Sequence, residues 1–204
     1  LSSASDILLL YVGLETISLS SYLLTAINKG DRKSSEAGLK YVIYGAMASA
    51  MMIYGMAYLY GMCGSTSFEV IKDRLAAGGM SPAIMVSSIL IFAGLGYKIA
   101  AVPFHMWCPD VYEGAPTPIT AFFSVAPKAA GFAIIIRFFT QVIGPSEAIS
   151  HLLATVAILT MTAGNLSALL QNNLKRLLAY SSIAHAGYIL MAVAMITPAG
   201  NQAV

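Results

Sequence analysis

The sequence is poor in charge. Only 10% of its 204 residues are Asp, Glu, Lys or Arg, 58% are hydrophobic, and the mean hydropathy is +0.76. Soluble domains carry about 25% charged and about 45–50% apolar residues. A chain this short exposes too much surface to cover it with so few charges, so an ordinary water-soluble globule is excluded and lipid is the natural solvent. Cysteine is scarce as well. Cys63 and Cys108 stand far apart, with no CxxC and no Cys/His ligand spacing, which argues against an iron–sulfur cluster or a zinc site. Both read as small apolar fillers. The net charge of +2 comes without a basic stripe, so nucleic acid is not an expected partner. No GxGxxG opens a helix after a strand. No Gly/Ser-rich or Pro-rich linker divides the chain, and a single transmembrane domain over residues 1–204 is expected. The chain opens at Leu1 in an apolar run without a visible signal peptide, and reads as a fragment or a processed chain.

What is present is apolar length. Six runs, at residues 7–27, 41–62, 83–106, 119–140, 152–170 and 177–196, each reach the roughly 20 helical residues that cross a hydrocarbon core. The expected fold is all-α, a polytopic bundle of about six transmembrane helices embedded in a lipid bilayer. The third run is interrupted: Pro103 lies near its end, and Pro109, Pro116 and Pro118 follow. Proline removes a backbone donor and breaks a helix, so a helix broken near Pro103 is expected, against the simpler reading of a loop that starts there. Irregular backbone at membrane depth is tolerated where protein or a wet cavity surrounds it, as in transporters.

Loop charge gives an orientation. Lys29, Arg32, Lys33 and Lys40 fall in the first connection, and Lys175 and Arg176 in the fifth. Both lie on one side if every run spans once, and basic loops favour the cytoplasm. The connection at 108–118 belongs to the same side yet holds Asp110 and Glu113 and no Lys or Arg. The opposite connection at 63–81 balances Lys72 and Arg74 against Glu69 and Asp73.

Three ionisable residues lie within the apolar runs: Glu15 in the first, Lys98 in the third and Lys128 near the middle of the fourth. A charge at the bilayer centre costs about 2.5–3.5 kcal/mol on insertion scales, and such residues usually face a protein interior and mark ion or proton pathways. Burial weakens a lysine's hold on a proton and strengthens a carboxyl's. Glu15 placed near Lys98 would hold the lysine charged, and withdrawal of its influence would release the proton towards Lys128. The competing reading is a static buried ion pair that fixes helix register. His105, after the proline break, and His185, among Ser181, Ser182 and Tyr188, are candidate proton relays. Arg137 sits close to the end of its run, where it would snorkel. Gly45 and Ser49 form a small face for close helix packing, and Asn165 suits an interhelical hydrogen bond.

These residues sit in long motifs. GYKIAAVPFHMWCPDVYEGAPTPITAF and NNLKRLLAYSSIAHAGYILM resemble two signatures of the antiporter-like membrane subunits of respiratory complex I, the NADH-quinone oxidoreductases. GLETISLSSYLL, EAGLKYVIYGAMASAMMIYG and the pairing of DVYEGAPTP with SVAPKAAG are similar to the N-type members of that family. The resemblance implies a complete protein of fourteen transmembrane helices in two inverted five-helix repeats, of which this chain would supply the fifth to tenth. It implies proton translocation in a bacterial inner membrane, with Glu15, Lys98 and Lys128 as the proton-carrying residues and a further lysine on a twelfth helix beyond Val204. It also implies that NADH, FMN, iron–sulfur clusters and quinone are bound by partner subunits, this chain carrying no cofactor and no redox centre, and that other membrane subunits of the complex are its partners. The alternatives are a cation/proton antiporter subunit, a membrane-bound hydrogenase subunit, or a passive membrane scaffold.

Overall fold

The computed structural model describes residues 3–144 and 146–196. They form α1 (Ile7–Thr25), α2 (Arg32–Cys63), α3 (Phe68–Gly78), α4 (Pro82–Ile99), α5 (Trp107–Gly114), α6 (Thr117–Arg137), α7 (Glu147–Leu169) and α8 (Leu174–Ile196), with a π-helical turn at Phe138–Val142 extending α6. Among the described residues the only β pairing is an isolated bridge between Asp6 and Ser67. Six helical stretches, all but α3 and α5, are long and apolar enough to cross a membrane. The chain is a multi-pass, all-helical membrane protein.

Helix boundaries follow local chemistry. The Asp6 carboxylate caps α1 by accepting from the Leu8 and Leu9 N–H groups at 2.7 and 3.4 Å, and Asp31 caps α2 by accepting from Lys33 N at 2.9 Å. Pro82 starts α4 after Ser81, whose hydroxyl accepts from Ile84 N at 3.3 Å. Gly64, left-handed at φ 67°, ends α2.

Three sequence expectations are corrected here. The second helix starts nine residues before its apolar run, so Lys33 and Lys40 stand on its first turns rather than in a loop. At 32 residues α2 is about 48 Å long, and its polar start projects beyond the hydrocarbon. Lys175 and Arg176 likewise lie in the first turn of α8. The connection at 63–81 is not a plain loop, because α3 lies in it and buries Phe68, Ile71 and Leu75.

The acidic segment that disagreed with the charge rule is explained by pairing. Lys33 bonds Glu113 at 2.9 Å, Lys40 bonds Asp110 and Glu36 at 2.8 Å each, and Arg176 reaches Asp110 at 2.5 Å and Glu113 at 3.2 Å. Lys175 Nζ donates to the Ala115 and Glu113 carbonyls at 2.9 and 3.4 Å, the C-terminal carbonyls of α5. The ends of α2, α5 and α8 are thus gathered on one face, the arrangement the loop parity requires.

At the opposite face Ile7 N donates to Thr66 O and Phe68 N to Ser5 O, both at 3.0 Å, and the Thr66 hydroxyl donates to the Asp6 carboxylate. Phe68 meets Phe138 edge-on with centroids 6.2 Å apart. The Arg137 guanidinium lies 5.5 Å from the Phe68 ring, so this cation turns onto an aromatic face.

Between the faces, small residues let helices close up. A Cβ at Gly164 of α7 would stand 2.7 Å from the Ala184 nitrogen of α8, and one at Gly55 of α2 would stand 2.8 Å from the Ser87 carbonyl oxygen of α4. Asn165 Nδ2 donates to Tyr188 Oη across α7 and α8 at 3.0 Å, the interhelical bond expected of it.

The lattice of ion pairs generates a stability prediction. Burial pushes the Asp110 carboxyl up, but hydrogen bonds from Lys40 and Arg176 outweigh it and hold the group below the usual carboxylate range. The Lys33 hydrogen bond, reinforced by Arg176, does the same for Glu113. Groups held low when folded stabilise above their unfolded values and lose that contribution as pH falls through the folded ones. Thermal stability of the purified protein is therefore expected to be flat above about pH 5 and to fall below about pH 4. Asp110→Asn, which leaves Lys40 and Arg176 facing each other, is expected to cost about 1–2 kcal/mol at neutral pH and to flatten the acid limb. Melting curves across pH check both, and an acid limb unchanged in Asp110→Asn/Glu113→Gln would refute the assignment.

Candidate functional site

Helix α4 stops in mid-protein because Ala100 turns left-handed, at φ 59°, a region that disfavours side chains. The Ala101 N–H turns back to Gly96 O at 2.8 Å, and the chain passes through turns with a cis Val102–Pro103 peptide before α5 begins at Trp107. The break therefore opens three residues before Pro103, and a helix resumes after it, which decides against a simple loop. Its backbone is satisfied from within the protein: Val102 N donates to Thr160 Oγ1 of α7 at 3.0 Å, and Trp107 Nε1 donates to Tyr97 O at 3.0 Å.

Lys98 occupies the last turn of α4, only 5% exposed. The carbonyl end of a helix favours a cation. Among the described residues its Nζ has no hydrogen-bond partner. Glu15, half-buried on α1, acts on it electrostatically, but the two do not form an ion pair. The Glu15 carboxylate instead accepts from the hydroxyl of Ser49 on α2. This corrects the static ion-pair reading and gives Ser49, expected as a packing residue, a polar role. Beside it, α1 and α2 meet where Tyr22 lies against Gly45, so tightly that a Cβ there would clash with the Tyr22 hydroxyl.

Lys128 follows Pro127 inside α6 and is 6% exposed. Its Nζ donates to Ser182 Oγ at 2.8 Å and to Ser182 O at 3.3 Å, both on α8. It stands 5.7 Å from the centroid of the Tyr112 ring on α5. No carboxylate among the described residues pairs with it. One turn later, a Cβ on Gly131 would lie 2.8 Å from Ile99 Cγ2 and 3.5 Å from Lys98 Cβ. Close packing of α6 on the end of α4 therefore brings the two lysines onto touching segments.

A cleft of about 650 Å³ opens between α6 and α8, lined mostly by apolar side chains, with Lys128, Ser182, His185, Thr120 and Lys175 on its walls. His185 thus shares a space with Lys128, its ring edge-on to Tyr188 with centroids 5.7 Å apart. His105 does not line this cleft. It lies half-buried in the break between α4 and α5, next to the Pro103 carbonyl. An aromatic cluster of Tyr22, Tyr41, Tyr97 and Trp107 fills the region where α1, α2, α4 and α5 meet, with Tyr41 stacked on Trp107 at 4.6 Å. Tyr112, the aromatic neighbour of Lys128, carried no signal in sequence beyond its place in the motif.

Comparison with known proteins sets this arrangement in context. The family model described as "NADH:quinone oxidoreductase/Mrp antiporter, TM" matches residues 4–204. NADH-quinone oxidoreductase subunit N of Anaeromyxobacter sp. is 50% identical over the whole of this chain, which covers 44% of that protein. Among solved structures, respiratory complex I from Thermus thermophilus with bound aureothin contains a chain 42% identical, superposing with a TM-score of 0.81 over 94% of this chain and 41% of its own length. The Mrp complex from Dietzia sp. contains one 26% identical, with a TM-score of 0.86 over 96% of this chain and 37% of its own. The chain thus spans less than half the length of each of these relatives. The match to the family model over nearly every residue, together with the 50% identity to a subunit N over the whole of this chain, shows that the chain belongs to the NADH:quinone oxidoreductase/Mrp antiporter transmembrane family.

Proposed function

We propose that this chain is the proton-conducting part of an N-type membrane subunit of NADH-quinone oxidoreductase, working in a bacterial inner membrane alongside other membrane subunits. The observation that carries the reading is the pair of buried lysines in membrane-crossing helices, neither of them neutralised by an ion pair among the described residues. A purely structural charge is expected to be paired, because an unpaired one in hydrocarbon is costly. A group that must gain and lose a proton is better served by a weak, adjustable partner.

In this reading Glu15 is the modulator. Its carboxylate, steadied by Ser49, favours the ammonium form of Lys98 by charge attraction across α1 and α4. When that influence weakens, Lys98 passes its proton towards Lys128, and the cleft holding His185 connects Lys128 to water. His105 serves the break as a second relay. Electron transfer from NADH to quinone, with the flavin and iron–sulfur chemistry it needs, takes place on partner subunits. The 42–50% identity to complex I proteins, against 26% to the Mrp chain, favours this reading over a cation/proton antiporter.

Two substitutions test the reading in the full-length protein within its assembled complex. Lys128→Arg keeps a charge that cannot be released. It is expected to leave assembly and NADH-to-quinone electron transfer capacity in place while lowering NADH-driven proton uptake into vesicles by about tenfold or more. Glu15→Gln keeps the shape and the bond to Ser49 but removes the charge, and is expected to slow uptake by a similar factor. Normal uptake in Lys128→Arg, or loss of assembly alone in both variants, would favour a scaffold, and uptake that requires sodium would favour an antiporter.

A further inference from the structure

We propose that Ser182 is the positioning residue of Lys128, a hydroxyl fixed as an acceptor so that the ammonium is held on α8. This rests on the reading of Lys128 as a proton carrier and adds a residue to it.

The direction of the hydrogen bonds carries the inference. Ser182 Oγ donates its own hydrogen to Ala179 O at 2.7 Å, one turn earlier in α8. A hydroxyl has one hydrogen and two lone pairs. With the hydrogen committed, the lone pairs are what Ser182 offers Lys128, whose Nζ lies 2.8 Å away. The serine carbonyl, at 3.3 Å, is a second acceptor from the same residue. Lys128 therefore meets acceptors on α8 and the ring of Tyr112 on α5, and no carboxylate among the described residues. Hydrogen bonds to a charged donor are about twice as strong as neutral ones. Such a contact retains an ammonium yet releases it more readily than an ion pair would. Lys128 is also bound to a helix whose first turn is tied by Arg176 to α5, so a shift of α8 would change the distance from Lys128 to its acceptor.

The test uses a matched pair in the full-length protein within its assembled complex. Ser182→Thr and Ser182→Val have nearly the same volume and differ in the hydroxyl. Threonine is expected to sustain NADH-driven proton uptake close to the parent, and valine to lower it by about tenfold, at equal assembly. Equal uptake in the two variants would overturn the proposal, because only packing would then matter. Should neither assemble, Ser182→Ala removes the hydroxyl without adding bulk, and parental uptake in it would equally overturn the proposal. Lys128→Arg in the same assay separates the two claims. Normal uptake there removes the proton role of Lys128, whereas impaired uptake there with normal uptake in Ser182→Val removes only the role of Ser182.

Discussion

A charged side chain inside hydrocarbon has to be solvated by the protein that carries it, because lipid offers no dipole to replace water. That constraint organises the interior of this molecule. Glu15 receives a hydroxyl from α2, Lys128 receives a hydroxyl and a carbonyl from α8, and Lys98 sits at the carbonyl end of its own helix. Among the described residues none of the three closes an ion pair, although Glu15 acts on Lys98 from a distance. The ion pairs of the described residues gather instead where α2 and α8 begin and around α5. Electrostatics is thus used in two ways: ion pairs hold helix ends together, and hydroxyl and carbonyl contacts hold the Glu15 and Lys128 charges of the interior.

The break in the third apolar run makes the interior arrangement possible. By stopping at Ala100, the chain leaves Lys98 at a helix terminus and sets an aromatic wall beside it, with Tyr112 facing Lys128. The cost is a stretch of backbone outside regular structure, and Thr160 and Trp107 satisfy it. Small residues supply the closeness: Gly131 brings α6 against Ile99, and Gly45 admits Tyr22.

Much of this was legible in the sequence. Six spans follow from apolar length, because hydrocarbon thickness sets how many residues a helix needs. Glu15, Lys98 and Lys128 stand out for a related reason, since a charge within such a span demands an explanation. The proline cluster announced the break, although it starts earlier, at Ala100, whose left-handed turn goes against the steric preference of an alanine. Hydropathy is blind to polar helix ends, so it leaves Lys33, Lys40, Lys175 and Arg176 in connections although they stand on helices. It is equally blind to α3, whose apolar face is too short to register as a span. The pairings were out of reach because they depend on which helices become neighbours. Ser49 and Ser182 are ordinary small polar residues until Glu15 and Lys128 arrive beside them, and Asp110 contradicts the charge rule until Lys40 and Arg176 come from distant parts of the chain to meet it.

The clasp between residues 5–7 and 66–68 has a mechanical corollary. On that side of the membrane the start of α1 is stitched to the segment leading into α3 by main-chain bonds between neutral amides, which dissolved ions weaken little. The other side is fastened by countercharges, whose attraction fades as ionic strength rises. Main-chain bonds thus contribute most at one rim and ion pairs at the other, so rising salt weakens chiefly the fastening of α2, α5 and α8.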